Sequence, residues 1–368
     1  MPSFLGIVAS AFFESGSAIG KLWSFGSNAN GRTGLNTTTG NTLVPTQVGS
    51  DSDWSVAEAA GISVAVRSGQ LYTWGSNANG VTGLNTTTGN TLVPTQVGSD
   101  TDWATTSVGT VSAAGLKSGQ LYTWGGNGNG KTGLNTTAGN TLVPTQVGSD
   151  TNWTLVKMGF DSSSGVESGK LYTWGNNANG KTGLNTTAGN TLVPTQVGSS
   201  SLWTTSSVGV SYQSGIDNGK LYTWGSNANG QTGLNTTTGD TIVPTQVGSD
   251  TNWQVAASGQ VLGVGIESGK LYTWGSNANG ATGLNTTTGN TLVPTQIGSD
   301  TDWVSCSVVT GIIFAVRVGE LYVAGTNANG RSGLNTTSGN NIVFTRIGTD
   351  NYWVLAEGGG SHTLAIGG

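Results

Sequence analysis

Catalysis needs a nucleophile, a base or a set of metal ligands, and this chain is poor in all three. It has a single histidine, His362, and a single cysteine, Cys306. A nucleophilic dyad or triad places its base within hydrogen-bond reach of the attacking group. These two residues stand in neighbouring copies of a repeat, at different positions within it, so they predict packing roles and no enzyme. One cysteine forms no internal disulfide and says nothing of the redox compartment.

Oxygen ligands are more plentiful. Asp-Xaa-Asp/Asn recurs at Asp51/Asp53, Asp100/Asp102, Asp150/Asn152, Asp250/Asn252 and Asp300/Asp302. Calcium loops begin this way, because Ca²⁺ takes about six to eight oxygens. No Glu follows to close the shell, and the Ser200-Ser201-Leu202 copy discards the pattern. Asp and Asn also cap turns through their own backbone, so the turn reading comes before calcium. Asn-Thr-Thr, at Asn36, Asn85, Asn135, Asn185, Asn235, Asn285 and Asn335, fits an N-glycosylation acceptor or a plain polar loop. The aromatic columns, Tyr72/Trp74 through Tyr272/Trp274, offer a sugar-stacking surface or, as large side chains more often do, interior packing. No cofactor motif appears.

All these features recur, and recurrence decides the architecture. Leu-Tyr-Thr-Trp-Gly opens at Leu71, Leu121, Leu171, Leu221 and Leu271, with variants at Leu22 and Leu321. A second marker is Trp54, Trp103, Trp153, Trp203, Trp253, Trp303 and Trp353. Both series step by 50 residues with one step of 49, and one missing residue between Trp54 and Leu71 explains both. The marker tryptophans, with Trp74, Trp124, Trp174, Trp224 and Trp274, are structural repeat positions. Each unit predicts four short strands: one after the marker Trp, one before Ser-Gly, Leu-Tyr-Thr-Trp itself, and Val-Pro-Thr-Gln. Proline cannot donate to a sheet ladder, so the fourth strand belongs at an edge. Asn-Gly, once per unit, suits turns needing positive φ. No helical period appears.

The expectation is an all-β, seven-bladed propeller of four-stranded antiparallel blades, spanning 1–368 as one domain. Residues 4–19 are a copy of the segment that recurs at 353–368, which makes eight copies where seven blades need seven. Both termini are therefore expected to share the closing blade, one strand each. A surplus strand would then be free to pair with a neighbouring subunit in a homo-oligomer.

Partners are bounded by charge. Net charge is −5, pI is about 4.7, and only 8% of residues are charged. Thirteen Lys and Arg spread over seven units make no phosphate-binding patch, which argues against nucleic acid. No stretch reaches the roughly 20 apolar residues of a membrane span. The apolar start at 4–13 lacks the basic residues that precede a signal core, and the repeat register accounts for it. From the third strand to the marker Trp the copies are nearly identical. Between that Trp and the next Ser-Gly they diverge, which fits either selection at a binding face or drift around a narrow channel.

Gly-Xaa-Leu-Tyr-Thr-Trp-Gly-Xaa-Asn, then Gly-Xaa-Thr-Gly, Pro-Thr-Gln-Val and Trp, resembles the regulator of chromosome condensation repeat across essentially the whole chain. The tail 358–366, with His362, is similar to that family's most recognisable segment. The resemblance implies a seven-bladed propeller, and its founding member is a guanine-nucleotide exchange factor that binds chromatin. This chain departs from it in three ways. It has repeats of constant length, an acidic balance, and Ile312, Leu262, Tyr212, Ser162, Ser112 and Phe13 where the consensus histidine stands. Its Asn- and Thr-rich style resembles prokaryotic and bacteriophage members. The expected function is a non-enzymatic structural or adhesive protein. It would be a bacteriophage virion component (tail, fibre or decoration) or a bacterial surface protein, located on the virion or outside the cell. It would bind a protein or glycan surface ligand, or other virion or envelope proteins. The alternative is a cytoplasmic interaction scaffold or exchange-factor-like propeller.

Overall fold

A computed structural model describes residues 19–368. Seven four-stranded antiparallel sheets form a closed ring. Blade 1 consists of Trp54–Ala59, Ile62–Arg67, Gln70–Gly75 and Thr91–Gln96. Blades 2 to 6 repeat it from Trp103, Trp153, Trp203, Trp253 and Trp303. In each, the strand order in space follows the chain. The first strands of successive blades touch one another around the ring and so surround the axis. The fourth strand, carrying its proline, lies at the outer edge as its missing N–H requires.

Blade 7 closes the ring with strands from both ends, in the order Asn41–Gln47, Lys21–Ser27, His362–Gly367, Trp353–Gly358. This corrects one expectation. Each end contributes two strands rather than one, because the segment beginning at Trp353 fills both inner positions. The ladder across the seam is continuous from Lys21↔Gly367 to Gly26↔His362. The copy at 4–19 and the surplus strand expected from it lie almost wholly outside the described residues.

The core sits between blades rather than within them. One cluster joins Ile62, Val64, Val66 and Leu71 of blade 1 to Trp103, Val108, Ala113 and Trp124 of blade 2, and the seam is packed alike by Leu22, Leu364 and Ile366 against Trp54 and Trp74. A blade alone exposes both faces of its sheet, so each is completed by its neighbours. The third-strand tryptophans are completely buried. They also bond across the boundary: Trp124 Nε1 donates to the Val81 carbonyl at 2.9 Å and Trp174 Nε1 to the Lys131 carbonyl at 2.9 Å. The marker tryptophans pack edge-on against them, as in Trp203 and Trp224 at 6.1 Å. Blade 6 departs from this. Ala324 takes the tryptophan position, and Phe344, where other copies have proline, packs against Trp303 at 5.9 Å.

The long third-to-fourth connection holds itself together around a buried Asn. Asn77 Nδ2 donates to the Thr86 carbonyl at 2.9 Å, and its Oδ1 accepts from the Thr82 hydroxyl at 2.6 Å. The Asn of Asn-Thr-Thr sits in the left-handed region, at φ 58 for Asn36, and its N–H donates to the Leu92 carbonyl of the next blade at 3.1 Å. Asn tolerates that conformation better than most residues. These loops are thus seven identical clasps between blades.

Candidate functional site: the axial mouth

Each first strand ends near the axis in a loop to the second strand. The seven loops form one ring, tipped by Ala60, Thr110, Phe160, Val210, Gln260, Thr310 and Gly360, and enclose a cavity of about 670 Å³. On the opposite face the six second-to-third turns read Ser-Gly in four blades, with Asn218-Gly219 and Val318-Gly319 as the variants.

Below the rim, the residue four after each marker Trp lines or borders the cavity. Around the ring this column reads Glu58, Ser107, Lys157, Ser207, Ala257, Ser307, Glu357. Several bond to the backbone of the next blade. Glu58 Oε2 accepts from Val108 N at 3.1 Å, Ser107 Oγ from Met158 N at 3.0 Å, and Ser207 Oγ from Ser258 N at 2.9 Å. Ser307 Oγ donates to the Ala356 carbonyl at 2.7 Å. Lys157 reaches from blade 3 to Glu58 of blade 1, with Nζ 2.5 Å from Oε1. Burial pulls the Lys157 ammonium down, but Glu58 and Glu357 outweigh it and the group lies above its ordinary value. Glu357 is pushed up to about 8, by burial first and by Glu58 second, against the opposing pull of Lys157. The trio therefore holds one ion pair and one carboxyl whose charged form burial disfavours.

A second column of cations, on the third-to-fourth connections, fastens the rim. Lys131 Nζ donates to the Phe160 carbonyl at 3.1 Å, Lys181 Nζ to the Val210 carbonyl at 3.3 Å, and Arg331 Nη1 to the Gly360 carbonyl at 2.7 Å. Lys181 also pairs with Asp161 at 2.5 Å. Val81 and Ala281 hold the same position elsewhere and provide no such clamp. Three of the seven tips are thus pinned by a charged side chain from the preceding blade.

His362 lies at the seam between blades 7 and 1. Its Nε2 is 2.7 Å from Ser63 Oγ, which donates in turn to the Arg32 carbonyl at 2.8 Å. A serine beside a histidine suggests a nucleophile, but both side chains are wholly buried and Nδ1 meets no hydrogen-bond partner among the described residues. Burial, aided by Arg32, pushes the imidazole down to about 3. Cys306 is in a different blade, on the channel wall, with its thiol pushed well up by burial and then by Glu357.

The Asp-Xaa-Asp junctions lie on the opposite face, and side chains supply their cations. Arg67 pairs with Asp51 and Asp53, Lys117 with Asp100, and Arg317 with Asp300 and Asp302. Where the second strand ends instead in Glu167, Asp217 or Glu267, its cross-strand partner is Lys170, Lys220 or Lys270. There the junction reads Asp-Thr-Asn or Ser-Ser-Leu. The pattern is charge bookkeeping between neighbouring turns. Among the described residues no three His, Cys, Asp or Glu are grouped to hold a metal. No helix among them is long and apolar enough to cross a membrane.

The sequence reading missed the channel trio and the rim cations. Their signal lies in the repeat columns: one position read around seven copies gives Glu, Ser, Lys, Ser, Ala, Ser, Glu, which neighbour-to-neighbour motif reading never assembles.

A ring of seven such blades closed by both ends defines a repeat propeller. The regulator of chromosome condensation (RCC1) repeat matches residues 68–113, 118–164, 168–212, 218–262 and 268–315, more than half the chain, and the chain belongs to that family. Among solved structures, human WBSCR16 is similar at 18% identity and a TM-score of 0.84, over 95% of this chain and 100% of that one. Prp20p from Saccharomyces cerevisiae, described with its binding to Gsp1p and histones, is similar at 18% identity and a TM-score of 0.81, over 97% of this chain and 93% of that one. Yeast RCC1 (Prp20), the partner of bound Kap60, follows at 17% and 0.80, over 100% and 94%. At these identities the likeness is one of fold. A search of curated proteins by sequence gives no match.

Proposed function

We propose that the chain is a protein-interaction propeller whose recognition surface is the axial mouth on the face of the first-to-second loops. One observation carries this. The scaffold, the clasps and the rim of the wheel are repeated almost without change, while the seven loop tips and the residues below them differ from blade to blade. Tips serving only to turn the chain have no need to differ, and a rim braced by Lys131, Lys181 and Arg331 keeps a defined shape. Phe160, half exposed on that rim, gives the surface an aromatic anchor. The protein partners named for Prp20p and yeast RCC1 support a protein ligand for a wheel of this kind. They make a scaffold or exchange-factor-like role the better-supported reading.

The test is photo-crosslinking in the native cell. A benzophenone amino acid at Phe160 or Gln260 is expected to capture a defined protein that the same probe at Val193, on the outer edge, does not. Capture from Val193 alone, or equal capture from all three, refutes the reading.

A second reading rests on the outer edge. Val44, Val93, Val143, Val193, Val243, Val293 and Val343 are each 40–44% exposed, an even apolar ring on the outer strands. Seven like contacts suit avidity without a strong single site, the property wanted of a virion or bacterial-surface component outside the cell. Mass spectrometry of purified virions or envelopes tests it, and absence from both removes it.

A further inference from the structure

Among the described residues, Glu357 is the one member of the channel trio to which no hydrogen bond is made. Glu58 is fully engaged, with Lys157 on Oε1 and the Val108 N–H on Oε2. Among the described residues, no donor reaches the Glu357 carboxyl, which feels Lys157 and Glu58 only through the field. It borders the 670 Å³ cavity together with two kinds of surface. Ser207 and Ser307 bring hydroxyl oxygens. Val208, Val308 and Val309 bring partly open apolar walls nearer the rim. A carboxyl at depth, hydroxyl acceptors around it and an apolar collar above fit a ligand with a compact cationic head on an aliphatic stem. An anion finds no free partner there, since the lysine is already paired with Glu58.

We propose that the axial cavity binds an aliphatic primary ammonium group, with the Glu357 carboxylate as its counter-ion. The proposal deepens the interaction reading, since a lysine side chain on a protein partner carries this group; a free alkylamine carries it too. Binding is an exchange of protons for ligand. The Glu357 carboxyl gives its proton to the buffer as the ammonium enters, so net charge in the cavity is conserved. The other titratable groups that line the cavity with Glu357 keep their states: Glu58 and Lys157 stay paired, the Cys306 thiol stays neutral, and Arg32 at the mouth stays charged.

Isothermal titration of the full chain with hexylamine at pH 7, in buffers of different ionisation enthalpy, tests this. Hexylamine is expected to bind at least tenfold more tightly than hexanol, with release of a proton. Glu357→Gln is expected to lose that preference and the proton release while keeping its circular-dichroism spectrum and unfolding midpoint near wild type at pH 6. A short acetylated peptide with one central lysine separates the sources: peptide binding tighter than hexylamine assigns the site to a protein side chain, and weaker binding assigns it to a free amine. Equal binding of hexylamine and hexanol, no binding of any probe, or an unchanged preference in folded Glu357→Gln overturns the proposal. Crosslinking at Phe160 without amine binding would leave the interaction surface standing and remove this site.

Discussion

Blade 6 contains a natural substitution experiment that can be run in reverse in blade 5. Everywhere from blade 1 to blade 5 the interblade space is filled by a third-strand Trp and a fourth-strand Pro; in blade 6 it is filled by Ala324 and Phe344. The geometry shows the exchange directly. A Cβ placed on Gly233 would meet Trp274 Cδ1 at 3.2 Å and Pro294 Cδ at 3.3 Å, whereas one on the equivalent Gly283 would meet the Phe344 ring at 2.6 Å and Ala324 Cβ at 3.1 Å. Trp274 is completely buried, and its Nε1 donates to the Gln231 carbonyl at 2.9 Å. Trp274→Ala is therefore expected to cost about 3–5 kcal/mol through the cavity and the lost bond. Pro294→Phe alone overfills the site and is expected to destabilise by about 1–3 kcal/mol. Combined, the two should cost less than the sum of the single changes, with a favourable coupling of about 1–3 kcal/mol. Urea denaturation of the four proteins in a double-mutant cycle measures it. A coupling of zero would show that the Phe344 ring does not replace the indole, and that blades are not interchangeable solutions to one packing problem.

Three further outcomes are expected. His362 is held down to about 3, so between its unfolded value of roughly 6.5 and that value the unfolded chain binds the extra proton, and stability falls as the pH falls through this window. His362→Gln should flatten that part of the pH–stability curve, and an unchanged slope would contradict the burial. Glu357 has the opposite sign: raised to about 8, it stabilises the fold below the ordinary carboxylate range and loses that contribution as pH rises toward 8, so Glu357→Gln should be relatively more stable than wild type at pH 9 than at pH 5. Lys181→Met leaves Asp161 without its cation in a largely buried pair, which should cost about 3 kcal/mol in thermal or urea unfolding, whereas Lys220→Met on the opposite face should cost under about 0.5 kcal/mol.

Much of the wheel was legible because each unit repeats its own chemistry. Proline in Val-Pro-Thr-Gln placed the fourth strand outside, and the spacing of Trp54 to Trp353 counted the blades. The seam was read less well. The copies at 4–19 and 353–368 are both eligible for the inner strands of blade 7, and strand propensity cannot say which is used; the ladder from Leu22 to Ile366 does. The site was harder again. Glu58 and Lys157 are 99 residues apart and meet only because the ring brings the end of each blade's first strand near one axis. Asp51 and Asp53 suggested calcium because their cation, Arg67, lies in a hairpin whose proximity no local motif reveals.

A cryo-electron microscopy map of the chain bound to the protein captured at Phe160 examines the functional account most directly. Partner density seated over Phe160, Val210 and Gln260 and entering the cavity toward Glu357 is the expected result. Density on the Gly-Ser-Asp junctions of the other face, or along the outer valines with the mouth open, would contradict it.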